Sequence, residues 1–100
     1  MTANIKGTLK HGLKVGEKLY LEFEMRECTT ADLFAAEEDA SVDKKLSFRG
    51  ALIGRQLVKL GEISGPIPFA SIGKLHPEDF DLLVKAQDEA DKKGKTKPGS

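Results

Sequence analysis

Lys18-Leu19-Tyr20-Leu21-Glu22-Phe23-Glu24-Met25-Arg26, running on into Glu27-Cys28-Thr29-Thr30-Ala31-Asp32-Leu33, is the stretch that decides the fold. From Lys18 to Arg26 the chain alternates strictly. Leu19, Leu21, Phe23 and Met25 fall on one side; Lys18, Tyr20, Glu22, Glu24 and Arg26 fall on the other. A period of two over this length predicts a strand with one face on a core and one in water. The period then switches. In Thr29-Thr30-Ala31-Asp32 a threonine hydroxyl can accept a bond from a free amide of the first helical turn. Asp32 can answer from three residues on, which is a capping box. Its carboxylate also suits the positive end of the helix dipole. The predicted helix runs through Leu33-Phe34-Ala35-Ala36 to about Ala40.

Upstream, Ile5 to Leu9 reads as a first strand, with turn chemistry in His11-Gly12 and Val15-Gly16 on either side of Leu13. The two strands together predict a hairpin. Downstream, Ser41 to Lys45 is a polar linker. A second helix is expected from about Leu46 to Leu60, with Leu46, Gly50, Ile53, Leu57 and Leu60 as one stripe and Gly61 capping its end. Gly50-Ala51-Leu52-Ile53-Gly54 places two glycines four apart. Arg49, Arg55 and Lys59 flank them and argue against a membrane span, so a close backbone contact is expected, within the fold in preference to across an oligomer. Ser64-Gly65-Pro66-Ile67-Pro68 is a loop, and Phe69 to Leu75 is ambiguous between a short apolar stretch and part of that loop. Pro77 in a first turn, with Glu78 and Asp79 beside it, opens a third helix. Its apolar face is Phe80, Leu83, Val84 and Gln87, widened by Leu82 and Ala86.

The expected architecture is therefore α+β: an N-terminal antiparallel hairpin, about three helices, and a basic tail. Residues 1–91 form one domain, and 92–100 are expected to be disordered. The chain has 100 residues, 16 basic and 16 acidic, for a formal net charge of +0. That balance offers no bulk attraction to nucleic acid or to an anionic membrane. No run reaches the ~20 apolar residues of a membrane span, and the first residues lack the pattern of a signal peptide. A soluble, cytoplasmic protein is expected. The single cysteine cannot form an internal disulfide.

The chemistry of sites is sparse. Cys28 with His11 or His76 lacks the third, orienting group of a nucleophilic site. It reads as a small residue at a strand-to-helix corner. Two histidines and one cysteine at wide spacing match no zinc pattern, so no metal and no cofactor are expected. His76 reads as a loop end or helix cap. Gly61-Glu62-Ile63-Ser64-Gly65 lacks the Gly-Lys-Ser/Thr of a phosphate loop. Glu78 and Asp79 read as dipole partners rather than an acid/base pair. No catalytic residue is assigned, and the chain reads as a binding protein, not an enzyme.

Beyond local physics, the segment Leu21 to Leu33 resembles the strand-to-helix junction of the Mu-like phage tail assembly chaperones. That family pairs an alternating strand and an Arg-Glu step with a threonine and an Asp-Leu that open a helix. Leu57-Val58-Lys59-Leu60-Gly61 resembles the end of the family's middle helix. Leu75-His76-Pro77-Glu78-Asp79-Phe80-Asp81-Leu82-Leu83 resembles the start of its last one. Cys28 departs from the pattern, standing where the family carries proline. The resemblance covers about Leu9 to Ala90. It implies a non-catalytic protein of the host cell cytoplasm that binds the tape measure protein, helps recruit tail tube subunits and leaves the finished virion. It leaves room for a homo-oligomer. A tape measure exposes amphipathic helix faces, and an apolar groove would accept them. Ile67, Phe69, Leu82 and Ala86 are the candidates to line it, against the alternative that all four complete a small core. The rival readings are a regulatory adaptor docking on one folded partner and a minor structural tail subunit.

Overall fold

The computed structural model describes residues 4–41 and 43–95. Its order is β1 (Ile5–Val15), β2 (Lys18–Met25), α1 (Thr30–Asp39), α2 (Lys45–Gln56), β3 (Leu57–Leu60), β4 (Ile63–Ser64), α3 (Phe69–Ile72) and α4 (Pro77–Lys95). The fold is α+β, an N-terminal antiparallel strand pair followed by helices. The pair is extended by β3 and β4 into a four-stranded antiparallel sheet of order β1-β2-β3-β4. Helix α4 continues to Lys95. The rest of the expected disordered tail, 96–100, lies outside the described residues.

β1 is longer than the sequence suggested. His11-Gly12 makes no chain reversal; the strand passes through it to Val15, and the hairpin turns on Gly16 and Glu17. Gly16 has φ 64 at the first of the two turn positions, where a mirror-image turn needs the left-handed side of the map. The ladder is broken in between. Thr8 pairs with Glu22 and Leu13 with Tyr20. Across that gap β1 carries the four residues 9–12 and β2 only Leu21. The surplus is an enlarged, irregular bulge, which bends a strand and frees its amides. Gly12, at φ 82, is required there: a Cβ would sit 2.7 Å from Leu21 and 2.8 Å from the Tyr20 carbonyl.

The bulge changes which side of β2 faces the core. Phe23 and Met25 are buried as the alternation predicts, and Leu21 is half-buried. Leu19, expected inside, is 53% exposed, and Tyr20 packs against the core instead. The Tyr20 ring lies on Gly61, whose hypothetical Cβ would fall 2.5 Å from Cδ1 of that ring.

The second correction concerns α2. It ends at Gln56, and Leu57–Leu60 is a strand on the free edge of β2, not the last helical turn. Leu57 and Leu60 are buried three residues apart, which mimics helical spacing. The spacing arises because Val58 is surplus in the ladder: Lys59 pairs with Glu24 and Leu57 with the adjacent Met25. Gly61, expected as a helix cap, is the left-handed residue (φ 59) of the β3–β4 turn.

The core gathers Leu9 and Leu13 of β1, Phe23 and Met25 of β2, and Ile53, Leu57 and Leu60. Ile67, Ile72, Leu75, Leu83, Ala86 and Ala90 close it from the C-terminal half. The glycine pair in α2 serves internal contacts, the favoured one of the two expectations. Gly54 takes the backbone of Ile67 against it: the Ile67 amide bonds the Gly54 carbonyl at 2.9 Å, and a Cβ on Gly54 would sit 2.4 Å from the Ile67 oxygen.

Candidate partner-binding site

Two aspartates rigidify the frame around the site. The first is Asp32. Thr29 caps α1 as the sequence predicts: Thr29 Oγ1 accepts from the Asp32 amide, and the Asp32 carboxylate accepts from the Thr29 amide. That carboxylate is almost fully buried and also takes the fork of Arg26, Nη1 at 2.7 Å and Nη2 at 2.8 Å. A bidentate guanidinium pair is among the stronger polar contacts a protein makes. Arg26 further donates to the carbonyls of Glu27 and Arg55. Burial alone would raise the Asp32 pKa; the bonds from Arg26 and Thr29 overcome it and hold the carboxyl below its ordinary value. Among the described residues, Arg55 Nε is a buried side-chain nitrogen without a hydrogen bond, 4.0 Å from Asp32 Oδ1.

The second is Asp79, in the first turn of α4 and fully buried. Its oxygens accept the amides of Lys10 (2.8 Å), His11 (3.0 Å) and Gly12 (2.8 Å). These are the amides that the β1 bulge takes out of the ladder. Asp79 is thus more than the dipole partner its position suggested. Burial pushes its pKa up, and the three amide bonds bring it down below the usual aspartate value. A carboxylate accepting several backbone amides behaves this way.

A buried polar chain joins the junction to α4. Gln56 Nε2 donates to the Arg26 carbonyl and to Asp91. Gln87 Nε2 donates to Gln56 Oε1 at 2.7 Å, and Arg49 Nε donates to Gln87 Oε1. Arg49 also pairs with Asp88. The Cys28 amide bonds Asp91. Burial, then Asp91 and Asp32, push the half-buried Cys28 thiol up to about 11. It is a corner residue, not an activated nucleophile.

Between the start of α2, α3 and the start of α4 lies an open apolar groove of about 310 Å³, bordered by Leu46, Phe69, Ile72, Leu75, Pro77 and Phe80. Gly50 forms part of its wall, between Phe69, Phe80 and Ile72. Leu46 stands at the rim 72% exposed, although its place in the α2 stripe suggested burial. It occupies the first turn of the helix, ahead of the buried residues that begin at Gly50. The four residues expected to line a binding surface separate. Phe69 is half-buried in the groove wall; Ile67 and Ala86 are in the core; Leu82 is half-buried on α4, outside the groove lining. Leu46 and Phe80 are groove residues the sequence placed on buried helix faces, and Ile72, in the stretch it left ambiguous, serves both the core and the groove floor. The signal for Leu46 was its position directly after Lys44-Lys45, where a helix end meets water. Other large exposed apolar side chains are Phe34 (66%) and Leu33 on α1, Val15 and Leu19 at the hairpin tip, and Val58 on β3.

No helix among the described residues is long and apolar enough to cross a membrane. The family model for tail assembly protein gp41 matches residues 9–98. The Mu-like prophage FluMu protein gp41 of Haemophilus influenzae is 34% identical over 91 residues, covering 79% of this chain and 72% of that protein. No solved structure matches. The matched span takes in the Arg26–Asp32 junction, the β1 bulge with its Asp79 anchor, and the groove, and the chain belongs to the tail assembly protein gp41 family of Mu-like phages.

Proposed function

We propose that this tail assembly protein is a non-catalytic chaperone that seats amphipathic helices of the tape measure protein in the groove formed by Leu46, Phe69, Ile72 and Phe80. The groove is the observation that carries the reading. It is open, its walls are aliphatic and aromatic, and a large side chain stands exposed at its rim. Exposed apolar surface of that kind marks an interaction site, and helix-in-groove recognition needs a cleft for spaced anchor side chains.

The energetics favour a transient complex. Burying one Leu- or Phe-sized side chain contributes about 1.5–3 kcal/mol. A groove of this size admits few anchors, while association costs roughly 4–15 kcal/mol before any net affinity shows. A chaperone that hands its client to polymerising tail tube subunits in the host cytoplasm needs weak, reversible binding. The frame supports it: Asp79 fixes the start of α4, and the Gly54–Ile67 contact fixes the loop that leads into α3.

The test is recovery of partners with the tagged protein from cells producing the parent phage, read by mass spectrometry. The tape measure protein is expected with the wild type and is lost with Phe69→Asp. Recovery of a single regulator would move the assignment to an adaptor. Retention of the chain in purified virions would move it to a structural tail subunit.

A further inference from the structure

The bulge in β1 and the start of α4 bring together three donor side chains that the groove does not use. His11 and His76 stack with ring centroids 3.8 Å apart and planes 16° from parallel. Glu78 lies against both: Oε1 is 2.8 Å from His11 Nε2 and 3.8 Å from His76 Nδ1. All three residues are exposed, and their donor atoms lie within 4.8 Å of one another. We propose that His11, His76 and Glu78 form a binding site for a divalent transition-metal ion of the zinc, cobalt or nickel class.

The donor chemistry suits that class. Imidazole nitrogen and carboxylate oxygen bind Zn²⁺ at about 2.0–2.2 Å, so two donors on one ion sit no more than about 4 Å apart. The His11–Glu78 and Glu78–His76 distances already fall inside that limit, and small rotations of exposed side chains close the third. Solvent completes the coordination shell.

The frame is fixed independently of the ion. Asp79, next to Glu78, binds the amides of Lys10, His11 and Gly12, so the backbones carrying the donors are already docked. Three contacts compete with the ion. The 2.8 Å hydrogen bond between His11 Nε2 and Glu78 Oε1 must give way, with the ring proton moved to Nδ1 or lost. His76 Nδ1 accepts the Glu78 amide at 3.1 Å, so the ring must give up that bond or rotate to offer Nε2. Lys10 Nζ lies 4.0 Å from Glu78 Oε2 and must move aside.

The experiment is titration of tag-free protein with ZnCl₂ by calorimetry and with CoCl₂ by visible absorption. It is run in a Cys28→Ser background, to remove the one thiol. The expected result is saturable binding of one ion per chain, shifts of both histidine ring signals by NMR, and affinity at least tenfold weaker in His11→Ala and in Glu78→Gln. Circular dichroism melting of the metal-free variants verifies that each is folded. No saturable binding, or binding of equal strength in a folded His11→Ala, Glu78→Gln double variant, overturns the site. The cluster is then only a stacked helix cap.

Discussion

Replacing Asp79 by alanine should be the most damaging single polar substitution in this fold. The carboxylate serves three backbone amides that no strand partner can satisfy, because they sit in the bulge opposite Leu21. A buried donor left without a partner costs about 1–3 kcal/mol. The side chains of Lys10 and His11 are exposed, so water reaches part of this backbone and the low end applies. Three amides then give a loss of about 3 kcal/mol. A domain of this size has a total stability of about 5–15 kcal/mol and shifts its melting point by about 4–8 °C per kcal/mol. Melting should therefore fall by roughly 12–24 °C. Asp79→Asn keeps the shape but turns an amide donor toward donors, and about 2 kcal/mol should be lost.

The pH dependence has a definite sign. The folded pKa of Asp79 lies below the unfolded value of about 3.9. Its contribution is therefore complete above that value and is lost as pH falls through the folded pKa. The gap between wild type and Asp79→Asn in urea unfolding should be constant near neutrality and close in strong acid. Asp81→Asn, at an exposed position of the same helix, is the control and should leave the midpoint in place. A gap under 1 kcal/mol at neutral pH, or one that persists unchanged in acid, would refute the anchoring role.

Other outcomes follow from the same geometry. Gly50→Ala should stabilise α2 by up to ~1 kcal/mol, because alanine is the better helix former and its Cβ meets only ordinary contacts near 3.5 Å; Gly54→Ala should lose about 1–3 kcal/mol, because its Cβ would strike the Ile67 carbonyl. Chemical denaturation of the two variants reads that opposite sign. Arg26→Lys keeps the charge but loses the fork on Asp32. With Arg26 about a third exposed, screening trims the loss to about 1–2 kcal/mol, and a double-mutant cycle with Asp32→Asn should show the two coupled. Cys28, with its thiol near 11, should react with iodoacetamide far more slowly at pH 7 than an unfolded control peptide and speed up only in strong alkali.

What was legible in the sequence was local. The Thr29–Asp32 capping box is a contact across three residues, and the Leu21–Met25 alternation is a contact with the next layer, so both could be read from spacing. Leu57–Leu60 looks helical in sequence because a bulge at Val58 gives a strand the spacing of a helix. The role of Asp79 was invisible because its partners lie 67 to 69 residues away. For the same reason His11 and His76, which matched no metal pattern along the chain, meet only after folding. The groove was half legible. Phe69 is named from its place after a Pro-rich loop, whereas Leu46 fits an apolar stripe whose first turn lies ahead of the buried part of the helix. Ile67 reads identically to Phe69 in sequence, yet its backbone is drawn onto Gly54 and its side chain into the core.

Site-specific photo-crosslinking in phage-producing cells tests the groove most directly. A photoreactive residue is placed in turn at Leu46 on the groove rim, at Phe34 on α1 and at Leu19 on the hairpin tip, all exposed positions. Adducts to a helical segment of the tape measure protein from Leu46, and not from the other two, are the result the account predicts. Adducts from Phe34 or Leu19 alone, or none to any tail protein from Leu46, would contradict it.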